Sequence, residues 1–242
     1  MDEKPISKSN LLIPFSIIFA GLIIGGAVYF SNNRSGGAAV PGAKVPAVAA
    51  DISKVVTDGR PFIGNPNAKV TIAYWFDYQC PYCKLNEQKN ISQIVAQYVQ
   101  TGKVKIVFKD YQFLGMYSKD QGRDDSMSAA LMARAVWEVS PEKFYDWHSA
   151  VMNKQDDENA GWGSEADLLA LTKTIPGVDA VKVQGLMVSK KAVYEKMINE
   201  DRTEGASFGI EGTPAMIVGK EVLGGYIQDF PKISGPIDAL LK

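Results

Sequence analysis

Val70–Phe76 reads VTIAYWF, a nearly continuous apolar run rich in β-branched and aromatic residues. Such a run suits a strand buried on both faces, and a strand of that kind belongs at the centre of a sheet covered on either side. It leads directly into Asp77–Cys83, DYQCPYC, which holds the only two cysteines in 242 residues. Beyond them Ile91, Ile94, Val95 and Tyr98 fall at the spacing of one helix face, and Gly102 is a reasonable stop. Val104, Ile106 and Phe108 then alternate with Lys103, Lys105 and Lys109, a strand pattern. The order is strand, helix, strand, with both cysteines where the helix starts. Two cysteines cannot lace a disulfide scaffold together, so the core must hold by packing.

From about residue 122 to 208 the apolar period becomes helical. Ser126–Val139 is Ala-rich. Ser140-Pro141 reads as a cap followed by proline in the first turn, ahead of the stripe Phe144, Trp147, Val151 and Met152. Ser164–Asp167 matches a capping box. Lys190–Phe208 reads as a long charged helix ended by Gly209. A hairpin follows, Ala215–Val218 and Glu221–Leu223 around Gly219-Lys220. Ile233, Ile237, Leu240 and Leu241 suggest a closing helix interrupted near Gly235-Pro236. Strand-bearing parts flank a helical insertion, an α/β architecture with an inserted α-helical domain.

The N-terminus is of another kind. Leu11–Phe30 is 20 residues without a charge, about what a helix needs to cross roughly 30 Å of hydrocarbon. Lys4, Lys8 and the amino terminus precede it, which places residues 1–10 in the cytoplasm and the rest outside. Gly25-Gly26-Ala27 offers a peptidase small residues, the competing reading of a cleaved signal; the length of the run favours an anchor in the lipid bilayer. Residues 31–58 read as a flexible tether and 59–242 as the folded domain. The net charge of −1 gives no basic excess for nucleic acid.

The cysteine pair admits three chemistries. A closed zinc site wants four N/S ligands; the pair supplies two, and His148 is the only histidine. A structural staple across so short a loop would constrain the unfolded chain little. A redox couple explains more. A cysteine at a helix N-terminus meets unpaired N–H groups and the positive end of the dipole, and both favour the thiolate. Cys80 is then the exposed nucleophile, and Cys83, one turn in, resolves a mixed disulfide. Pro81 fits the first turn because no donor is needed there, and Tyr82 fills the second intervening place. Other candidates are weaker. His148 and Trp162 read as packing residues, Lys109-Asp110 as a solvated pair, and Met127, Met132, Met152, Met187 and Met197 as core filler.

WFDYQCPYCK with a charged helix behind it resembles the thioredoxin fold, and specifically its DsbA-like branch. Glu211–Ala215, EGTPA, just ahead of a strand, resembles the loop that in this family carries a cis proline facing the cysteines, here Thr213-Pro214. The 131 positions from Cys83 to Pro214 match a branch that inserts a helical domain there. Phe144–His148 and Gly224–Tyr226 are similar to family segments, though less specifically. Family members often carry an acid six places before the first cysteine, to relay protons to the buried thiol; here that place is Tyr74. CPYC is also the glutaredoxin dipeptide, whose owners reduce.

The resemblance implies a thioredoxin-like fold preceded by a transmembrane helix, and a membrane-tethered, extracytoplasmic thiol–disulfide oxidoreductase. Cys80 and Cys83 would be catalytic, and Pro81, Tyr82, Thr213 and Pro214 would form the active-site loop. No cofactor beyond the redox-active disulfide and no metal is implied. The partners implied are exported client proteins with free thiols and a membrane redox partner such as a quinone-linked oxidase. Disulfide introduction is the leading direction. A reductase or isomerase fed by a membrane electron donor, and a non-catalytic tethered chaperone, are the alternatives.

Overall fold

The computed structural model describes residues 49–117, 123–156 and 161–242. Leu11–Phe30 and most of the expected tether lie outside them. Among the described residues no helix is long and apolar enough to cross a membrane.

The sheet has the order β1-β3-β2-β4-β5, with β1 Phe62–Ile63, β2 Val70–Phe76, β3 Val104–Asp110, β4 Ala215–Val218 and β5 Glu221–Gly224. VTIAYWF takes the centre. It runs parallel to β3, with Val70 opposite Val104, and antiparallel to β4, with Trp75 opposite Ala215. Its side chains alternate between two cores. Val70, Ile72, Tyr74 and Phe76 enter a large cluster with the helices; Ala73 and Trp75 enter a smaller one with Val55, Phe208 and Ile217.

Helix α1 (residues 81–99) starts as Pro81–Asn86 and passes through two wider π-turns, Glu87–Ile91 and Val95–Val99, around Ser92–Ile94. Its buried face is Ile91, Ile94 and Tyr98. Gly102, at φ +74°, supplies the left-handed residue that turns the chain into β3. Between β3 and β4 come α2 (Asp125–Val139), α3 (Phe144–Lys154), α4 (Glu165–Thr172), α5 (Ala180–Ser189) and α6 (Lys191–Ser207), the inserted helical region. Helix α7 (Pro231–Leu241) closes the chain. The small residues Ala129, Ala130, Ala133 and Ala135 bury α2, while Met132 and Met152 fill the core as expected. Trp162 is half-buried against the same cluster.

Three local expectations are corrected. Ser140 takes the cap position with Pro141 in the first turn, but the element is a short 3-10 turn, Pro141–Lys143, and the Ser140 hydroxyl makes no cap bond and donates to the Gly177 carbonyl instead. Helix α7 runs through Pro236 without a break, because Ile233 and Ile237, four apart and fully buried, hold both halves to the core. Most consequentially, Lys109 and Asp110 are not solvated. They are the last residues of β3 and are buried at 0% and 4% exposure.

The reason is a buried ionic cluster that α2 and α6 close over the end of β3. Asp201 receives Arg60 Nε at 2.8 Å, Lys109 Nζ at 2.5 Å and the Arg134 guanidinium. Asp110 accepts from Arg134 Nε at 2.8 Å, and Glu204 lies 2.8 Å from Lys109. Burial opposes the charge on Asp201, yet Arg134, Lys109 and Arg60 hold its carboxyl below the ordinary value. Helix α6 reaches this depth through Gly205, where a Cβ would come within 2.8 Å of the Trp75 indole nitrogen. That indole donates to the Asp201 carbonyl. The cluster also fixes the entering strand of chain, since Lys109 donates to the Val56 carbonyl and Glu204 accepts from the Val56 amide.

Removing one member of a buried ionic group leaves the others uncompensated. Asp201→Ala should therefore lower the unfolding free energy by about 3–5 kcal/mol in denaturant titration. Lys143→Ala, which breaks the exposed pair with Asp146, should change it by less than about 1 kcal/mol.

Candidate active site

The site forms where β2 ends. The turn after Phe76 is held by the Asp77 carboxylate, which is fully buried. It accepts from the amides of Gln79 at 2.8 Å, Phe113 at 2.9 Å and Leu114 at 3.0 Å, and from the Ser126 hydroxyl at 2.6 Å. Four donors from three segments lock the approach to Cys80. Burial still raises the Asp77 pKa, with these donors opposing the rise. Gln155, just past α3, adds a second brace by donating to the carbonyls of Tyr78 at 2.6 Å and Cys80 at 3.2 Å.

Cys80 is the residue that caps α1, and Pro81 occupies the first turn, as the sequence predicts. The Cys80 carbonyl accepts from the amides of Cys83 at 3.0 Å and Lys84 at 3.2 Å. Because Trp75 pairs with Ala215, the residues before β4 lie at the end of β2 where the cysteines are. The Thr213-Pro214 peptide bond is cis, and the Thr213 carbonyl accepts from the Cys80 thiol at 3.4 Å. The expected loop residues, 133 positions apart in chain, thus meet.

The two thiols are free and differ sharply in electrostatics. Cys80 is drawn down to about 7, chiefly because the Cys83 thiol hydrogen-bonds to its sulfur; burial opposes this, and the Thr213 side chain and the Cys83 amide assist. The helix start therefore contributes through one amide, while the larger influence is the neighbouring thiol. Cys83 is pushed well above the ordinary thiol value, first by burial and then by Cys80. One expectation is corrected here. Cys80 is not an exposed residue: it retains 4% exposure, against 0% for Cys83, because the Thr213 loop and Gln155 pack around it. The exposed members of the motif are Pro81 and Tyr82, the latter at 59%, with Leu85 beside them on the next turn.

Sequence reasoning missed Gln155, which carries no local signal. Asp77 did carry one: an aspartate whose carboxylate binds the amide two residues on makes an Asx-turn. His148 lies in α3, inside the insertion as expected, but its ring packs against Phe76 and Phe108 of the sheet. Its Nδ1 meets the Tyr78 hydroxyl at 3.0 Å and its Nε2 lies 3.5 Å from Glu87. Tyr74, in the place of the family's acid, is fully buried, and its hydroxyl has no hydrogen-bond partner among the described residues. Among the described residues no group of three His, Cys, Asp or Glu side chains is placed to hold a metal ion.

This geometry has close parallels. The model of the thioredoxin family matches residues 56–238. Disulfide bond formation protein D of Bacillus subtilis is 26% identical over 184 residues, which cover 76% of this chain and 78% of that one. The crystal structure of oxidised BdbD from B. subtilis superposes with a TM-score of 0.69 at 25% identity, over 81% of this chain and 98% of that chain. The thiol-disulfide exchange protein alpha-DsbA2 from Wolbachia pipientis gives a TM-score of 0.61 at 28% identity, over 75% and 87%. In each comparison most of the other chain is covered, helical insertion included, so the likeness extends beyond the cysteine motif. The chain belongs to the thioredoxin family and, within it, is a DsbA-like thiol–disulfide oxidoreductase.

Proposed function

We propose that this oxidoreductase introduces disulfides into exported proteins, working outside the cytoplasm and anchored by Leu11–Phe30, with Cys80–Cys83 as its couple. The observation that carries the reading is the pairing of a thiol held near 7 with a sealed, weakly acidic partner at the start of one helix. A client thiolate attacks the Cys80 sulfur of the oxidised couple. The Cys80–Cys83 bond breaks, a client–Cys80 bond forms, and Cys83 leaves and takes a proton. A second client thiolate then attacks the client sulfur, forming the client disulfide and releasing Cys80 as thiolate. Two electrons pass from client to enzyme, and a membrane redox partner, such as a quinone-linked oxidase, removes them. Cys80 is the better leaving group because its thiolate is the stabler of the two.

Thr213 and Pro214 line the place where an extended client segment would lie, and Tyr82 and Leu85 offer it exposed apolar surface. The direction of transfer follows the relatives, one of which is named for disulfide formation. One observation favours the reverse, reductive reading: a Cys80 near 7 matches the value of about 7 typical of thioredoxin rather than the about 3.5 of the strongest oxidant of the class. A moderate oxidant reconciles the two.

Three measurements test this. Alkylation of Cys80 should rise with pH through a midpoint of about 7, because only the thiolate reacts, while Cys83 stays unreactive over the same range. Cys80→Ser should abolish disulfide transfer to a reduced, unfolded client, and Cys83→Ser should trap the mixed disulfide; continued transfer by Cys80→Ser would leave only the chaperone reading. The reduction potential of the couple should fall between about −270 and about −120 mV, the thioredoxin and strong-oxidant limits. A value below the lower limit would reverse the direction while keeping the chemistry.

A further inference from the structure

The strand register sorts the loops of the domain between the two ends of the sheet. Strands β2 and β3 run parallel, so both finish toward the couple and both begin at the far end, where Val70 lies opposite Val104. Strand β4 runs the other way, from Ala215 beside Trp75 to Val218 beside Ile72. The Gly219-Lys220 turn therefore lies at the end of the sheet away from Cys80. The connections before β2 and before β3 lie there too. The Lys103 carbonyl accepts from the Val70 amide at 3.2 Å, and Lys105 Nζ donates to the Pro66 carbonyl at 3.5 Å. Helix α7 ends at the same place: Lys69 donates to the Leu241 carbonyl at 2.8 Å, and a Cβ on Gly219 would come within 3.1 Å of the Leu240 side chain.

The chain enters the domain at this end as well. The Ile52 amide donates to the Gly219 carbonyl at 2.8 Å. Beside it, Asp51 is held below the ordinary carboxylate value, first by the Ser53 hydroxyl and amide, with the charges of Lys220 and Lys54 adding. Lys54, Lys69, Lys103 and Lys220 are exposed on this face and Lys105 is half-buried, against the acidic side chains Asp51, Glu221 and Asp238. The face is thus basic in a chain whose overall charge is −1. Among the lysines lies apolar surface. Leu240 is 42% exposed, and a hollow of about 380 Å³ is lined by Ile52, Val218, Pro236 and Leu240, with Lys220 at its side. Lysines around a shallow apolar surface suit the bilayer interface, because ammonium groups meet anionic headgroups while the aliphatic stems cover apolar ground.

We propose that this face, around Gly219 and Leu240, rests on anionic lipid headgroups, so that the couple is presented away from the bilayer to exported clients. The inference rests on the proposed anchoring by Leu11–Phe30. Residues 31–48 lie between that segment and the point of entry, and a linker of that length and composition spans about 20–25 Å on average. Tethering at so short a range gives the face an effective concentration of about millimolar at the surface, so a weak attraction per lysine suffices to orient the domain. Strand β2, Val70–Phe76, then sets the couple about 20 Å farther from the lipid than the lysines.

The test reconstitutes the full chain into vesicles of phosphatidylcholine, either alone or with about one-third phosphatidylglycerol. A membrane-impermeant acetylating reagent is applied as a short pulse, and the labelling of each lysine is read by mass spectrometry. On the anionic vesicles at about 20 mM salt, Lys69, Lys103 and Lys220 should label at least about threefold more slowly than on the neutral ones. The exposed Lys89 of α1 and Lys154 of α3, both near the couple, should label alike on the two. About 0.5 M salt should erase the difference at the basic face. Lys103→Glu combined with Lys220→Glu should abolish the slowing at Lys69 and leave disulfide transfer to a soluble client unchanged. Equal labelling of the face on both kinds of vesicle, or a slowing that salt does not reverse, would overturn the inference while leaving the anchor intact. A chain that alkaline carbonate washes off the vesicles would overturn the anchor, and the docking with it.

Discussion

The Asp77 carboxylate is the point on which the site depends. It lies one residue past the central strand, is sealed from solvent, and gathers donors from its own turn, from the segment after β3 and from α2. A buried carboxylate is tolerated only when its lone pairs are satisfied. Satisfying this one ties sheet, turn and insertion together at the place where Cys80 must be held. Without that lock the four residues between Phe76 and α1 would be an ordinary loop. The same charge acts against the Cys80 thiolate, and its effect is outweighed by the Cys83 thiol. Position and reactivity are thus set by opposing uses of one group.

A second buried charge set performs a different task. The cluster around Asp201 joins β3, α2, α6 and the segment entering at Arg60. These elements are far apart in sequence, and apolar packing could bring them together in several registers. Charges that are costly unless paired admit few of those registers. Here the insertion is fastened to the sheet by α2 and α6 at once, so Ser126 of α2 reaches Asp77 and Gln155 reaches the Cys80 carbonyl. The geometry of the thiols therefore depends on helices that contribute no reacting atom.

These tertiary ties also mark how far the sequence could be read. The central strand, the helix behind the cysteines, the hairpin and the Ser164 capping box are local in origin, and periodicity or cap chemistry reveals them. Cys80, Cys83, Thr213 and Pro214 were legible because their residue types are rare or carry a recognisable loop. Lys109 was misread because alternation with Lys103 and Lys105 implies solvent, and only the arrival of Asp201 and Glu204 from distant α6 makes its burial possible. Gln155 and Glu87 were illegible for the same reason. Each acquires its meaning from a partner on another element. The expectation of an exposed Cys80 failed because helix position says which residue caps, not what packs over it.

The contrast between the two sulfurs follows from depth. Both sit in low-dielectric surroundings, where an isolated thiolate is disfavoured. Cys80 escapes the penalty because a thiol and an amide of Cys83 point at it. Cys83 donates to Cys80 and is raised chiefly by burial, which the Asp77 amide and the Thr213 side chain oppose only in part. Each sulfur's acidity is therefore partly made by the other, and only one is ionised at a time. The oxidising power of such a couple grows with the stability of its reduced, singly ionised form. In this chain the buried Asp77 carboxylate works against that stability. A Cys80 thiol near 7, drawn down by Cys83 against burial and the Asp77 charge, is the balance on which the proposed moderate potential rests.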